Sequence, residues 1–471
     1  MATASLAREG SAPPRAVARG GLRVLPGPGP FWARLLLAVI MAGTMPLLWV
    51  WWSGTGSLRS TGDYLTATGR MSGLLGAYLL LVLVALMARI PWLDDRVGPD
   101  VTARFHRALG EYTVALLSGH AVLIVVGYAM QSGTGVVSQS YTLVVSYPDV
   151  MMAAAALGLL IMVGVLSARR IRRRLAYETW YFLHLYVYLA MALAFAHEFA
   201  VGSDFSASSR NRLVWSAAHI AVFTLLVLFR LVVPVVRSLR HRVRVANVVA
   251  EGPGVISIYL TGRGLDRLGC TAGQFMRWRF LARGLWWESH PYSLSAPPSG
   301  SMMRITVKSM GDGSRRLQRL LRPGTAVWFE GPYGSFTARR GRSRPGGRHR
   351  ALLIAAGAGI TPIRALYETL PGHGDDVILL YRASDPRSMV LWNELESIAR
   401  RRGFGLFPVT GSRADHRGDP LNARELLRAI PDTAHRDVYV CGPPGLIDSA
   451  TAELRKAGVP RRRIHAEAFE L

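Results

Sequence analysis

Four histidines stand inside long apolar stretches, where a polar ring is costly to bury. His106 and His120 lie in FHRALGEYTVALLSGH, and His184 and His197 lie in HLYVYLAMALAFAH. Neutral imidazole is a metal ligand and a common axial ligand of haem iron. On helices, the fourteen residues between the first pair rise ~21 Å and the thirteen between the second ~20 Å. Two such helices running in the same direction put His106 level with His184 and His120 level with His197. Two stacked bis-His sites are what two haems b require. One feature resists a plain helix. At ~100° per residue, fourteen residues return to within ~40° of the same face, whereas thirteen miss it by ~140°. The second helix therefore needs a kink, a π-bulge or a different approach of its two rings. A single histidine in a membrane is more often packed or hydrogen-bonded than a ligand; two pairs of nearly equal separation are harder to dismiss.

The elements that must hold these rings are legible from hydropathy. The chain has 471 residues, 50% of them hydrophobic and 18% charged. Soluble domains carry roughly 25% charged residues, so a wholly soluble or disordered chain is excluded. Apolar runs near 31–52, 70–92, 107–130, 148–168, 177–200 and 213–236 are each close to the 20 or so residues that cross a bilayer core. Residues 1–30, rich in Ala, Gly, Pro and Arg, read as a disordered tail rather than a cleaved signal. Cations alternate between loops. Arg8, Arg15, Arg19, Arg23 and Arg34 precede the first run, and Arg96 and Arg104 follow the second. Arg169, Arg170, Arg172, Arg173 and Arg174 follow the fourth, and Arg237, Arg240, Arg242 and Arg244 follow the sixth. The other loops hold Arg59, none across 131–147, and Arg210 with Arg212. The positive-inside rule places both termini in the cytoplasm, in a multi-pass protein of the cell membrane. The net charge of +26 thus follows from membrane topology and contact with lipid, not from nucleic-acid binding. Two cysteines, Cys270 and Cys441, form neither a disulfide framework nor a cysteine-based metal cluster.

Downstream of residue 240 the pattern changes. Short alternating strands such as VISIYL, MRITVKS and AVWFEGPYG predict an antiparallel β-barrel over 241–340. A basic Gly/Pro stretch, ARRGRSRPGGRHR, reads as a linker. Over 341–471, ALLIAAGAGITPIRALYETL runs from buried strand through a glycine turn into a helix, and further strands alternate with helices. The expected fold there is an α/β doubly wound nucleotide-binding domain. The segment Gly357-Ala358-Gly359-Ile360-Thr361-Pro362 has the strand–turn–helix context that a dinucleotide turn needs. Lys308 to Ser314, with Gly313 and Ser314 at a helix start, presents amides and a hydroxyl suited to a pyrophosphate. Arg382 closes the second strand of this domain, and Ser412 with Arg413 follows the next. No acid closes the second strand to hold a ribose hydroxyl, which favours NADPH over NADH.

Taken together, the paired histidines, His290-Pro291-Tyr292-Ser293 and Cys441-Gly442-Pro443-Pro444-Gly445 resemble the NADPH oxidase and ferric reductase superfamily, in its bacterial type. Its members join a ferric-reductase-like transmembrane domain, here 31–240, to a ferredoxin–NADP reductase-type FAD and NADP module. The resemblance implies two haems between the third and fifth helices, with Arg70 beside the outer one. It implies Tyr292 against the isoalloxazine, Ser293 hydrogen-bonded to it, and His290 near the phosphates. Cys441 would lie near the nicotinamide, and Phe469, close to the chain end, over the flavin. The implied activity moves electrons from NADPH through FAD and the haems to an extracytoplasmic acceptor. Dioxygen, giving superoxide, is the first reading. Ferric-chelate or cupric reduction and donation to an extracytoplasmic protein are the alternatives, and a haem carrier is the least favoured.

Overall fold

The computed structural model describes residues 30–338 apart from 173, 176 and 201, together with residues 349–411 and 419–468. The expected tail, most of the basic linker, Ser412, Arg413 and Phe469 lie outside the described residues.

Among the described residues, six helices are long and apolar enough to span a membrane: Phe31–Ser53, Thr61–Met87, Val101–Ser132, Val150–Ser167, Thr179–Ala200 and Ser209–His241. The first is interrupted at Gly43, where a side chain would collide with Tyr78; the Tyr78 hydroxyl instead donates to Ile40 O at 2.9 Å. The second starts with a capping box between Ser60 and Asp63. Gly62, Gly69, Gly73 and Gly76 recur along it on the side facing the third span. A Cβ at these positions would meet Gln131, Ile124, His120 and Leu117 at 2.6–3.1 Å. Small residues at such spacing let two membrane helices approach backbone to backbone. The loop expected at 131–147 contains a further helix, Val136–Ser146. The fifth span is two helices, Tyr177–His184 and Tyr186–Ala200, broken at Leu185. The sixth passes through a π-helical turn at Leu228–Val232 and continues to His241.

Beyond the spans, the described residues form eleven strands. β1 (Arg244–Gly252), β2 (Val255–Thr261) and β5 (Met302–Lys308) form one antiparallel sheet; β4 (His290–Ser293), β3 (Phe275–Phe280) and β6 (Val327–Tyr333) form another. Single bridges Arg244↔Ala326 and Leu294↔Ile305 connect the two sheets. Their inner faces enclose Trp278, Phe280, Phe329, Ile258 and Leu260. The remaining strands, β7 (Ala351–Ala356), β8 (Val377–Arg382), β9 (Gly405–Val409), β10 (Asp437–Gly442) and β11 (Ile464–Ala468), form a parallel sheet. Its order is β11-β10-β7-β8-β9, so the chain reverses direction across the sheet between β7 and β10. In open α/β sheets, ligands bind at such a reversal.

Candidate functional site

The inner and outer histidine levels are set by the second span. His106 Nδ1–H donates to Leu83 O at 3.1 Å, and His120 Nδ1–H donates to Gly69 O at 2.8 Å. The two histidines are fourteen residues apart, and so are the two carbonyls on the antiparallel partner. A carbonyl only accepts, so both rings carry their proton on Nδ1 and keep the Nε2 lone pair for a metal. The close approach at Gly73 makes the outer bond feasible, since a Cβ there would sit 2.6 Å from His120 Nδ1.

On the fifth span, His184 stacks on Trp180 with centroids 5.0 Å apart, and its Nδ1 lies 3.3 Å from Ser167 Oγ. The His106 and His184 rings are 6.0 Å apart. Two metal–imidazole bonds of about 2 Å each leave roughly that spacing between the centroids of opposed rings. His197 lies within electrostatic reach of His120, and its Nδ1 is buried without a hydrogen-bond partner. The break at Leu185 separates His184 from His197 and relieves the phase mismatch that a continuous helix would impose. Donor chemistry, spacing and the unpartnered buried nitrogen all fit haem at two levels.

Arg70 lies ten residues into its helix rather than at the helix end. Its guanidinium pairs with the buried Asp204 at 2.5 Å and reaches Gly54 O at 3.4 Å, while its Nε is buried without a hydrogen bond. Neighbouring His219 points at Glu198 (4.0 Å), whose carboxylate accepts from Trp215 Nε1 at 2.6 Å.

In the antiparallel sheets, Tyr292 stacks on His290 at 5.7 Å, and its carbonyl accepts from the buried Trp278 indole. Pro291, on an exposed position, pairs in register with Arg277 and cannot donate to the ladder. Burial raises the Tyr292 phenol pKa, and Glu288 adds to that shift. The Ser293 hydroxyl is buried without a partner, as a hydrogen bond to a flavin would require. At the expected phosphate end, His290 Nε2 is 3.2 Å from Glu288, which also pairs with Arg316 at 2.5 Å. Gly313 packs against the His290 ring; Lys308 is exposed at the end of β5. The Ser314 hydroxyl accepts from the amides of Met310 and Gly311 and donates to Gly311 O, which commits it to the helix start.

At the β7/β10 reversal, Gly357 has φ +56 and opens the turn. Gly359 is forced by contact, since a Cβ would lie 2.2 Å from Cys441 O. The Thr361 hydroxyl donates to Ala358 O at 2.8 Å, and Thr361 and Pro362 are buried in the first turn of helix Ile360–Thr369. On the facing strand Cys441 is buried, and burial pushes its thiol well above the ordinary range. Gly442 and Pro443 lead into helix Pro444–Lys456. Arg382 spends its guanidinium on the carbonyls of Ala383 (2.6 Å), Val409 (3.0 Å) and Gly411, shaping the loop that leads to residue 412.

A contact the sequence did not suggest joins the two halves. Arg237 donates to Gly331 O at 2.8 Å, the Ser238 hydroxyl accepts from Phe329 N, and Arg89 covers the Tyr333 ring at 5.0 Å. Tyr333 pairs across the sheet with Phe275, and Phe275 with Ser293. The flavin-type motif is therefore two strand spacings from Tyr333, and Arg89 over that ring follows the span whose Leu83 carbonyl holds His106.

A membrane bundle with two histidine levels, mounted on an FAD-type and a nucleotide-type unit, defines a membrane-bound NAD(P)H-dependent oxidoreductase. Residues 72–195 match the ferric reductase like transmembrane component, 240–337 an FAD-binding domain, and 353–452 the oxidoreductase NAD-binding domain. The chain belongs to the ferric reductase/NADPH oxidase architecture with a ferredoxin–NADP reductase-like module. It is 30% identical over 204 residues to an NADPH oxidoreductase of Mycobacterium tuberculosis, covering 42% of this chain and 51% of that one. To ferredoxin–NADP reductase B of Sorangium cellulosum it is 31% identical, covering 38% and 77%. It spans 51% of the length of the first of these relatives, and 57% of that of the ferredoxin reductase component of 3-ketosteroid-9-alpha-monooxygenase of Rhodococcus rhodochrous, to which it is 28% identical over 208 residues. A solved flavohem-like FAD/NAD binding domain of nitric oxide dioxygenase from Vibrio cholerae aligns over 49% of this chain and 99% of its own, at 23% identity and TM-score 0.40.

Proposed function

We propose that the protein carries electrons from cytoplasmic NADPH across the cell membrane to an extracytoplasmic acceptor, with dioxygen, reduced to superoxide, as the first choice. When bound, FAD accepts a hydride and releases its electrons one at a time, and haem b carries single electrons. The chain's own residues supply placement. Cys441 and the glycine turn at 357–359 flank the nicotinamide position, with Gly442, Pro443, Thr361 and Pro362 shaping it. Tyr292 and Ser293 hold the flavin ring, and His290, Lys308, Gly313 and Ser314 line its phosphate side. His106 and His120 hold the two haems through Nε2, with His184 and His197 as their respective partners. Ser412 and Arg413 are the candidates for the 2′-phosphate of NADPH, with Arg382 shaping the loop that leads to them, and Phe469 is the candidate for the flavin face. Arg70 faces the outer acceptor site, with its pair to Asp204 keeping the cation in the membrane. Both termini are cytoplasmic.

The observation that supports this reading is the cross-sheet register Ser293–Phe275–Tyr333, whose last ring lies under Arg89, six residues beyond the Leu83 that bonds His106. Ferric-chelate or cupric reduction on the same scaffold is the second reading, and an extracytoplasmic protein acceptor the third. The test uses purified protein, NADPH and an absorbance record without oxygen. Flavin absorbance should bleach first and haem absorbance should follow. Flavin bleaching with haem left oxidised would cut the path at the junction.

A further inference from the structure

The unit formed by β7–β11 meets the two antiparallel sheets at two places of different chemistry. One is apolar: Phe336 packs against Tyr439 at 5.6 Å, and the Tyr439 hydroxyl donates to Thr337 O. It joins Ala272 and Phe336 to Leu366 and Tyr439 in one buried core close to the end of β6. The other is charged and distant in sequence. Arg304 on β5, only 6% exposed, grips Glu394 with both guanidinium nitrogens at 2.5 and 2.8 Å. Glu394 stands in the first turn of helix Trp392–Arg402 and also accepts from Arg364 Nε at 2.9 Å. Arg364 in turn pairs with Glu368 at 2.5 Å.

Each end of this network touches a binding segment. Arg304 Nε donates to the Ser295 hydroxyl at 3.0 Å and Nη2 to Ser295 O at 3.1 Å, two residues beyond Ser293 of the flavin-type motif. Arg364 sits one turn after Thr361, in the helix that opens at the Gly357–Gly359 turn. A second, bidentate attachment away from the apolar contact fixes the orientation of the two units more closely than the apolar contact does. The fork geometry matters, because planar two-point contact fixes angle as well as distance.

We propose that Arg304 and Glu394 are positioning residues for hydride transfer: their paired contact locks the nucleotide-binding unit at the angle that sets the nicotinamide against the flavin. The inference rests on NADPH being the hydride donor to FAD. Neither side chain touches the reacting atoms, and both act through the segments that do. Misplacement by about an ångström costs on the order of a hundredfold in rate.

The test is stopped-flow flavin bleaching without oxygen, in full-length protein at saturating NADPH, for wild type, Glu394→Gln and Glu394→Asp. Glu394→Gln should lower the limiting bleaching rate at least about tenfold. FAD content and the dissociation constant for NADP+ should stay unchanged, and Glu394→Asp should recover part of the rate. The absorbance band of the stacked nicotinamide–flavin pair should weaken in step with the rate. An unchanged limiting rate overturns the proposal, as does a weaker NADP+ affinity at an unchanged limiting rate. Loss of FAD from both variants also overturns it, assigning the pair to folding alone. If wild-type flavin fails to bleach with NADPH, the donor reading itself is wrong, and that outcome is separate from all of these.

Discussion

At the scale of single residues, the decisive detail is which nitrogen of each imidazole holds the proton. Leu83 O and Gly69 O fix it on Nδ1 for His106 and His120. The same device orients histidines around metals generally and raises their basicity as ligands. Removing one outer ligand at a time is then a clean experiment. His120→Ala or His197→Ala should drop haem per chain from about two to about one while sparing flavin reduction. Pyridine haemochrome content is the measurement, and two unchanged haems in both variants would sink the outer assignment. Sequence alone names the four rings, but it is silent on their tautomers. Those depend on carbonyls 23 and 51 positions away along the chain.

At the scale of elements, the second span acts as a template through what it lacks. Gly73→Ala puts a methyl group 2.6 Å from His120 Nδ1, whereas a Cβ at Gly110 meets nothing within 4 Å. The first change should therefore mimic His120→Ala in haem content, and Gly110→Ala should keep both haems, by the same assay. The element contacts also carry a pH signature. Burial pushes the Glu394 carboxyl up, but Arg304 and Arg364 outweigh it and hold it below its usual 4.5. A depressed carboxylate stabilises the fold above its unfolded pKa and loses that contribution as pH falls through the folded value. The difference in thermal midpoint between wild type and Glu394→Gln should thus hold from pH 7 to about 4.5 and shrink below it. A difference that grows on acidification would contradict the ion pair. Much of this level was readable beforehand. Hydropathy locates the six spans, and the thirteen-residue spacing calls for a kink, a π-bulge or a different approach of the rings, of which the structure has a break at Leu185. The glycines at 62, 69, 73 and 76 were not singled out, because only the fold shows that they face the third span. The helix Val136–Ser146 was hidden because it lies between spans and lacks charge. Arg304 and Glu394 were hidden because each looks like an ordinary solvated charge until the fold brings β5 to another unit's helix.

At the scale of the whole molecule, the order of parts sets a direction for electrons, and the acceptor sets the measurable product. In proteoliposomes under air, superoxide should appear outside at a rate matching NADPH loss, read with a dismutase-sensitive reporter. Slow turnover in air beside fast oxygen-free reduction of ferric citrate would transfer the assignment to a ferric reductase. Slow turnover with both would point to a protein acceptor. The sixth span adds a mechanical consequence. It runs from Ser209 to His241 without leaving helical form and hands its end directly to β1 through Arg242, and Arg237 and Ser238 on it bind the β6 strand. Such a rod transmits torsion. Each residue inserted or deleted along it turns everything downstream by about 100° and shifts it by about 1.5 Å. The π-helical turn at Leu228–Val232 is the kind of irregularity that a single added residue leaves behind. The two halves of this protein are thus in phase with each other like meshed gears. A chimera that grafts another reductase module onto this bundle must conserve the residue count of the shaft before it conserves anything else.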